Sequence, residues 1–209
     1  MIYWVYERML RRQISVLPGH ICIMISGQDM LDAPEKLMFV TEWCIEISTE
    51  VSKRIMSEHN TIRSLTFHIS TPEPHHIERC IFSVRSIGKI AHLTLHNQNT
   101  EEIYGNGFEV VVAIGKSGRE EITASIRKMA QDRVPPEQVD EKLLESYLTF
   151  KYAPDIVIKS GGDHLTDFLI WQSVYAELFF SDINWQYFRK VDFLRILRDY
   201  QARVRRFGK

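Results

Sequence analysis

The chain has 209 residues, with 26 Lys+Arg against 27 Asp+Glu and a formal net charge of -1. A protein built to neutralise many phosphates along a polymer is normally basic, so nucleic acid is not expected as a partner. Hydrophobic residues at 44% and charged residues at 25% exclude a disordered chain, and the length fits one α/β domain better than two.

Residues 1–17 are expected to form an amphipathic N-terminal helix. Trp4, Val5, Met9, Leu10 and Ile14 recur at spacings near three and four, while Arg8, Arg11 and Arg12 decorate the other side. Such a helix either docks on the domain or lies against a membrane surface; docking is the plainer expectation. Pro18 precedes HICIMIS, a buried strand ending at Ser26-Gly27. A long helical pattern follows from Pro34 to His59, with Leu37, Val40, Cys44, Ile47 and Val51 on one face. Next come RSLTFHIS as a strand, PHHIERCIFSVRSIG as a helix, and KIAHLTLH and FEVVVAIG as strands. SGREEITASIRKMAQ reads as a helix capped by Ser117, with Glu120 placed for a capping box. Beyond Pro135-Pro136 the pattern gives a helix over Glu137 to Leu148, then strands in PDIVIKSGG and LFFSD, and a last helix from Phe188 to Val204.

Strands alternate with helices, which predicts one α/β domain over 1–209: a mostly parallel central sheet with helices on both faces. Ligands in such sheets bind beyond the carboxyl ends of the strands. The loops there are Ser26-Gly27-Gln28, Ser70-Thr71-Pro72, Gly115-Lys116-Ser117 and Ser160-Gly161-Gly162-Asp163. Gly115-Lys116-Ser117 resembles the tail of a phosphate-binding loop, but Val110 stands where a full P-loop needs glycine. The eight histidines, among them His75-His76 and the pair His92 and His96, read as scattered or internally satisfied, not as a metal centre. No run approaches the roughly eighteen apolar residues of a membrane span. Cys22, Cys44 and Cys80 are too few and too far apart for a disulfide framework, and core packing is their expected role. A cytoplasmic location is therefore expected, with peripheral contact at the membrane face left open.

The C-terminal third carries a longer pattern. Pro154-Asp155, Gly161-Gly162, Phe168-Leu169, Trp171-Gln172, Tyr175, Glu177-Leu178, Trp185, Phe188, Phe193 and Arg206-x-Gly208 form an ordered skeleton. It resembles the last signature region of the cis-prenyltransferases, the undecaprenyl and dehydrodolichyl diphosphate synthases. Pro18-x-His20 with Gly27, and Ala113 with Ser117-Gly118-Arg119, are similar to the earlier motifs, so the resemblance covers essentially the whole chain. It implies an α/β fold and the condensation of an allylic diphosphate with isopentenyl diphosphate. It further implies a strand-end aspartate with Mg²⁺ over the diphosphates, arginines on their oxygens, and an apolar tunnel for the growing chain.

The departures from that pattern cluster at the diphosphate loops. Ser26 stands at the aspartate position, Gln28 replaces asparagine, and Asp29 and Asp32 follow where arginines belong. Pro72-Glu73-Pro74 replaces Glu-Asn-Trp, Lys159 replaces an arginine, and Asp163-His164-Leu165-Thr166 lacks the next one. Acidic residues at a diphosphate site repel the ligand. Glu177, the family's second Mg²⁺ contact, remains, and Gly27, Arg119, Lys159 and Glu177 are expected to mark a vestigial phosphate or metal loop. The tail, 203–209, keeps Arg-x-Gly. The resemblance is therefore greatest to the accessory, Nogo-B receptor type of subunit in heteromeric enzymes. It implies no catalytic residue at Ser26, with Arg206 and Gly208 binding isopentenyl diphosphate in trans. The implied partner is a catalytic cis-prenyltransferase subunit that holds the Mg²⁺, and the product a long-chain polyprenyl diphosphate, the precursor of a dolichol-type carrier. The partner-facing surface would lie after Trp171-Gln172 and in FFSDINW. The alternatives are a homodimeric enzyme with a divergent site, and a polyprenyl-lipid-binding protein without chemistry.

Overall fold

Uninterrupted apolar runs become the middle of a sheet, because a strand covered on both faces must be apolar on both. In the computed structural model, which describes residues 2–56, 60–98, 100–115, 117–150, 152–161 and 169–203, the described residues form one seven-stranded sheet. Its strands are β1 (His20–Ser26), β2 (Ser64–Ser70), β3 (His92–Asn97), β4 (Thr100–Tyr104), β5 (Glu109–Ile114), β6 (Ile156–Ser160) and β7 (Glu177–Ser181). The order is β4-β3-β5-β2-β1-β6-β7. Every neighbouring pair is parallel except β3 with β4. The single α/β domain with a mostly parallel sheet is as the alternation predicts.

The helices are α1 (Ile2–Gln13), α2 (Gly27–Asp32), α3 (Lys36–Ile55), α4 (Ile81–Arg85), α5 (Gly118–Gln131), α6 (Glu141–Tyr147) and α7 (Lys190–Ala202). Ile21, Ile23 and Ile25 of β1 point into the larger core with Leu37, Val40, Cys44 and Ile47 of α3 and Phe193, Leu194 and Leu197 of α7. Cys22 and Met24, one residue out of phase, join Val111, Ala113, Phe150, Val157 and Leu169 on the opposite face. Each fully buried side chain of this size stabilises the fold by about 1.5–3 kcal/mol before entropy is charged against it. Cys22, Cys44 and Cys80 are buried thiols, and burial pushes Cys22 up to about 12.

Boundaries differ in instructive places. The first helix stops at Gln13, short of residue 17. The next segment is held extended by side chains instead: Ser15 N–H donates to Gln201 and Leu17 N–H to Asn60, while Pro18 disfavours helix just before it. α1 docks through Leu10, with Ile14 buried just beyond its end, leaving Trp4, Val5 and Met9 exposed and the Arg8 guanidinium over the Trp4 ring. The expected helix after β2 splits into a 3₁₀ turn (Pro74–Cys80), α4 and a second 3₁₀ turn (Ser86–Lys89). Ser86 Oγ donates back to Ser83 O at the second break, a local bond that competes with the helix ladder. β4 escapes the sequence pattern because it is a short, polar edge strand. Ser117 caps α5 by backbone geometry alone, its hydroxyl making no bond to the first turn. Among the described residues no helix is long and apolar enough to cross a membrane.

Candidate functional site

The carboxyl ends of β1, β2, β5 and β6 meet at one edge of the sheet. Ser26 closes β1 and serves as N-cap of α2. Its hydroxyl accepts from Asp29 N–H at 3.1 Å, while Asp29 Oδ2 accepts from Ser26 N–H at 2.9 Å and from the Ser26 hydroxyl at 2.7 Å. Ser-x-x-Asp is a capping box, worth about 1 kcal/mol, and the sequence carried that signal at Ser26–Asp29. Gln28 Nε2 donates to Asp32 Oδ1 at 2.6 Å, so the second acidic side chain of this turn is also engaged.

Lys159 faces Met24 across the β1–β6 pairing and is 8% exposed. Its ammonium donates to Ser160 O at 2.7 Å and to Gly161 O at 3.3 Å, capping the end of its own strand. Burial holds its pKa below the usual lysine range, opposed by the Asp29 carboxylate. The loop after β2 fills the gap between β1 and β5. A Cβ on Gly27 would come within 2.9 Å of Thr71 Cβ, and one on Gly115 within 2.5 Å of Pro74 Cγ. Gly115 has φ +62, a left-handed conformation that glycine adopts without strain. Arg119 lies exposed in the first turn of α5 at the same edge, and no ion pair among the described residues engages it.

Below this edge the apolar side chains on the α3 face are closed off. Ile23, Ile25, Phe67, Ile69, Leu93, Leu95, Val112 and Ile114 are 0–1% exposed, and so are Leu37, Val40 and Cys44 of α3 that cover them. With no surface open to water inside or out, these side chains border no space the width of a hydrocarbon chain.

Glu177 is not part of that edge, which corrects the grouping expected from the sequence. It begins β7 and pairs with Ile156, which pairs with Ile21 at the amino end of the sheet. Ser26 lies five residues further along, on the order of 16 Å at about 3.3 Å per residue. Parallel register separates the two residues that a linear motif suggests bringing together. Glu177 instead accepts from Arg203 at 3.1 Å; Arg203 also donates to Leu178 O and lies 3.7 Å over the Phe179 ring. Arg206, Gly208 and the 162–168 loop lie outside the described residues.

Mg²⁺ usually draws on one or two free carboxylates together with phosphate oxygens. At Ser26 the donors are a hydroxyl and the Asp29 carboxylate, whose Oδ2 already accepts two hydrogen bonds, while Glu177 is at the far end of the sheet.

Two further residues explain part of the C-terminal pattern structurally. Glu121 is buried and accepts from Phe150 N–H at 2.8 Å and from Gln172 Nε2 at 3.0 Å, while Gln172 also donates to Phe150 O at 2.9 Å. This bolt holds the Trp171–Tyr175 turns against α5 and leaves Ile170, Val174 and Tyr175 exposed. Beside them runs a groove of about 760 Å³ lined by Glu145, Leu148, Pro154, Trp171 and Tyr175. Glu121 is an acidic residue on the inner face of an amphipathic helix, and that is the signal the sequence carries for it.

Comparison with known proteins agrees along the length of the chain. The family model described as "Putative undecaprenyl diphosphate synthase" matches residues 25–208. A tritrans,polycis-undecaprenyl-diphosphate synthase (geranylgeranyl-diphosphate specific) of Picrophilus torridus is 32% identical, with 98% of this chain and 96% of the relative covered. An isoprenyl transferase of Thermus thermophilus is 31% identical over 100% of this chain and 96% of its own length. The crystal structure of a probable undecaprenyl diphosphate synthase from Campylobacter jejuni shares the fold at TM-score 0.69 and 18% identity, covering 92% of this chain and 99% of the other.

Proposed function

The chain belongs to the cis-prenyltransferase family of undecaprenyl diphosphate synthases, and from that premise we propose that it serves polyprenyl diphosphate synthesis as an accessory subunit. In this reading its own diphosphate edge is closed, and its Arg206-x-Gly208 tail completes the site of a catalytic partner that holds the Mg²⁺. The observation that carries the reading is the internal satisfaction of the strand-end groups. Ser26 and Asp29 bond each other, Lys159 caps carbonyls, and the Thr71–Pro74 loop packs on Gly27 and Gly115.

The root of the tail at the end of the sheet opposite Ser26 supports action in trans. Arg203 is tied at Glu177, level with the amino end of β1. An arginine brought to a neighbour's diphosphate would supply charge-assisted, paired hydrogen bonds, and Gly208 would let the backbone approach closely. The apolar surface of Ile170, Val174 and Tyr175 is the face this reading gives to the partner. The outward Trp4, Val5 and Met9 of α1, with Arg8, are the face it gives to the membrane in which a polyprenyl product would reside.

A second reading, a homodimer that transfers prenyl groups by itself, is favoured by the synthase and transferase names of relatives at 31–32% identity. Incorporation of labelled isopentenyl diphosphate with an allylic primer and Mg²⁺ separates the two. We expect product when this chain is co-expressed with a cis-prenyltransferase homologue from the same cell, and none from this chain alone. Sustained elongation by the isolated chain would overturn the accessory reading in favour of the homodimer.

A further inference from the structure

We infer that Glu73, His75 and His76 form a binding site for a divalent transition-metal ion on the rim of the carboxyl edge. Glu73 Oε2 lies 2.9 Å from His76 Nδ1 and 3.9 Å from His75 Nε2, and all three ligand atoms fall within 4.8 Å of one another. The two imidazoles meet edge to face, with ring centres 4.3 Å apart. Metal–ligand bonds of about 2.1 Å put tetrahedral ligand atoms roughly 3.4 Å apart, so the observed spacings are within small side-chain rotations of a coordination shell. All three side chains are exposed by more than half and are free to make those rotations.

The backbone beneath them is constrained more tightly than in most surface loops. Pro72 and Pro74 fix two of the φ angles around Glu73, Glu73 N–H donates to Thr71 Oγ1 at 3.3 Å, and His76 N–H donates to Glu73 O at 3.1 Å. Thr71 and Pro74 in turn abut Gly27 and Gly115. Ordering costs are therefore partly met before the ion arrives. Two neutral imidazoles and one carboxylate suit Zn²⁺, Co²⁺ or Ni²⁺, whereas Mg²⁺ and Ca²⁺ favour oxygen donors. Three protein ligands leave at least one coordination position for water or an oxyanion. The inference does not depend on the accessory reading.

Calorimetric titration of Zn²⁺ and of Ni²⁺ into the full chain, purified without a polyhistidine tag, tests it. The expected result is one ion per chain with micromolar affinity, no measurable heat with Mg²⁺, and at least a tenfold loss of affinity in His75→Ala, His76→Ala and Glu73→Gln. Absence of binding, or binding whose affinity and stoichiometry survive the double change His75→Ala/His76→Ala, would overturn the site. The substituted side chains are exposed, so circular dichroism should show the variants folded as the parent.

Discussion

The two ends of the sheet have been treated differently by this sequence. At the carboxyl end three charged groups near Ser26 are turned inward on a neighbour: Asp29 on Ser26, Asp32 on Gln28, Lys159 on its own strand-end carbonyls. At the amino end of β7 charged groups organise the base of the C-terminal tail, with Arg203 held by Glu177, Leu178 O and the Phe179 ring. Polar groups that satisfy one another have little capacity left for an incoming diphosphate, because binding would first have to break those bonds. The comparison teaches that on one fold the function of a site has to be argued from its own residues.

The carboxyl end should be the harder to open. Trp185 is fully buried there, donates to Ala33 O at 3.1 Å, stacks on Phe188 and meets Phe67 edge-on. Trp185→Ala should cost about 3–5 kcal/mol in urea unfolding. A loss under 1 kcal/mol would mean that α2 is not clamped as described.

The amino end should be the more sensitive to acid. His20 lies buried between the hydroxyls of Ser64 and Thr66, both at 2.9 Å. Burial pulls its pKa down to about 4, against a partial upward pull from Asp155. The unfolded imidazole takes a proton below about 6.5. The neutral, folded ring therefore contributes stability that is complete above that pH and is lost as pH falls toward 4. At about 1.4 kcal/mol per unit the loss amounts to a few kcal/mol. Urea midpoints at pH 7 and pH 4.5 should diverge less in His20→Asn than in the parent chain; equal divergence would remove His20 from the account.

Much of the architecture was legible because burial writes itself into sequence. HICIMIS and FEVVVAIG are apolar on both faces and became central strands, and the α3 stripe became the core. The carboxyl-edge loops could also be read, since strand ends and their substitutions are local. Glu177 was misplaced because a motif gives order along the chain, while register decides which end of a strand a residue occupies. His75 and His76 read as scattered histidines because their approach to Glu73 depends on a 3₁₀ turn that the helical pattern did not foretell. The split of the helix after β2 follows from side-chain to backbone bonds that periodicity does not register.

The smallest structural effect should come with a functional one. Arg203 is substantially exposed, so Arg203→Ala should change stability by no more than about 1 kcal/mol. Turnover of the two-subunit complex should nonetheless fall a few fold, because the base of the tail is loosened; unchanged turnover would detach the tail's root from its function.

The most direct test of action in trans is Arg206→Ala in the co-purified complex, assayed for turnover and for the KM of isopentenyl diphosphate. Loss of a charge-assisted phosphate contact worth about 2–3 kcal/mol predicts a fall in kcat/KM of roughly 30- to 160-fold, with the complex still assembled. A complex whose kcat and KM are unaltered by that change would contradict the account.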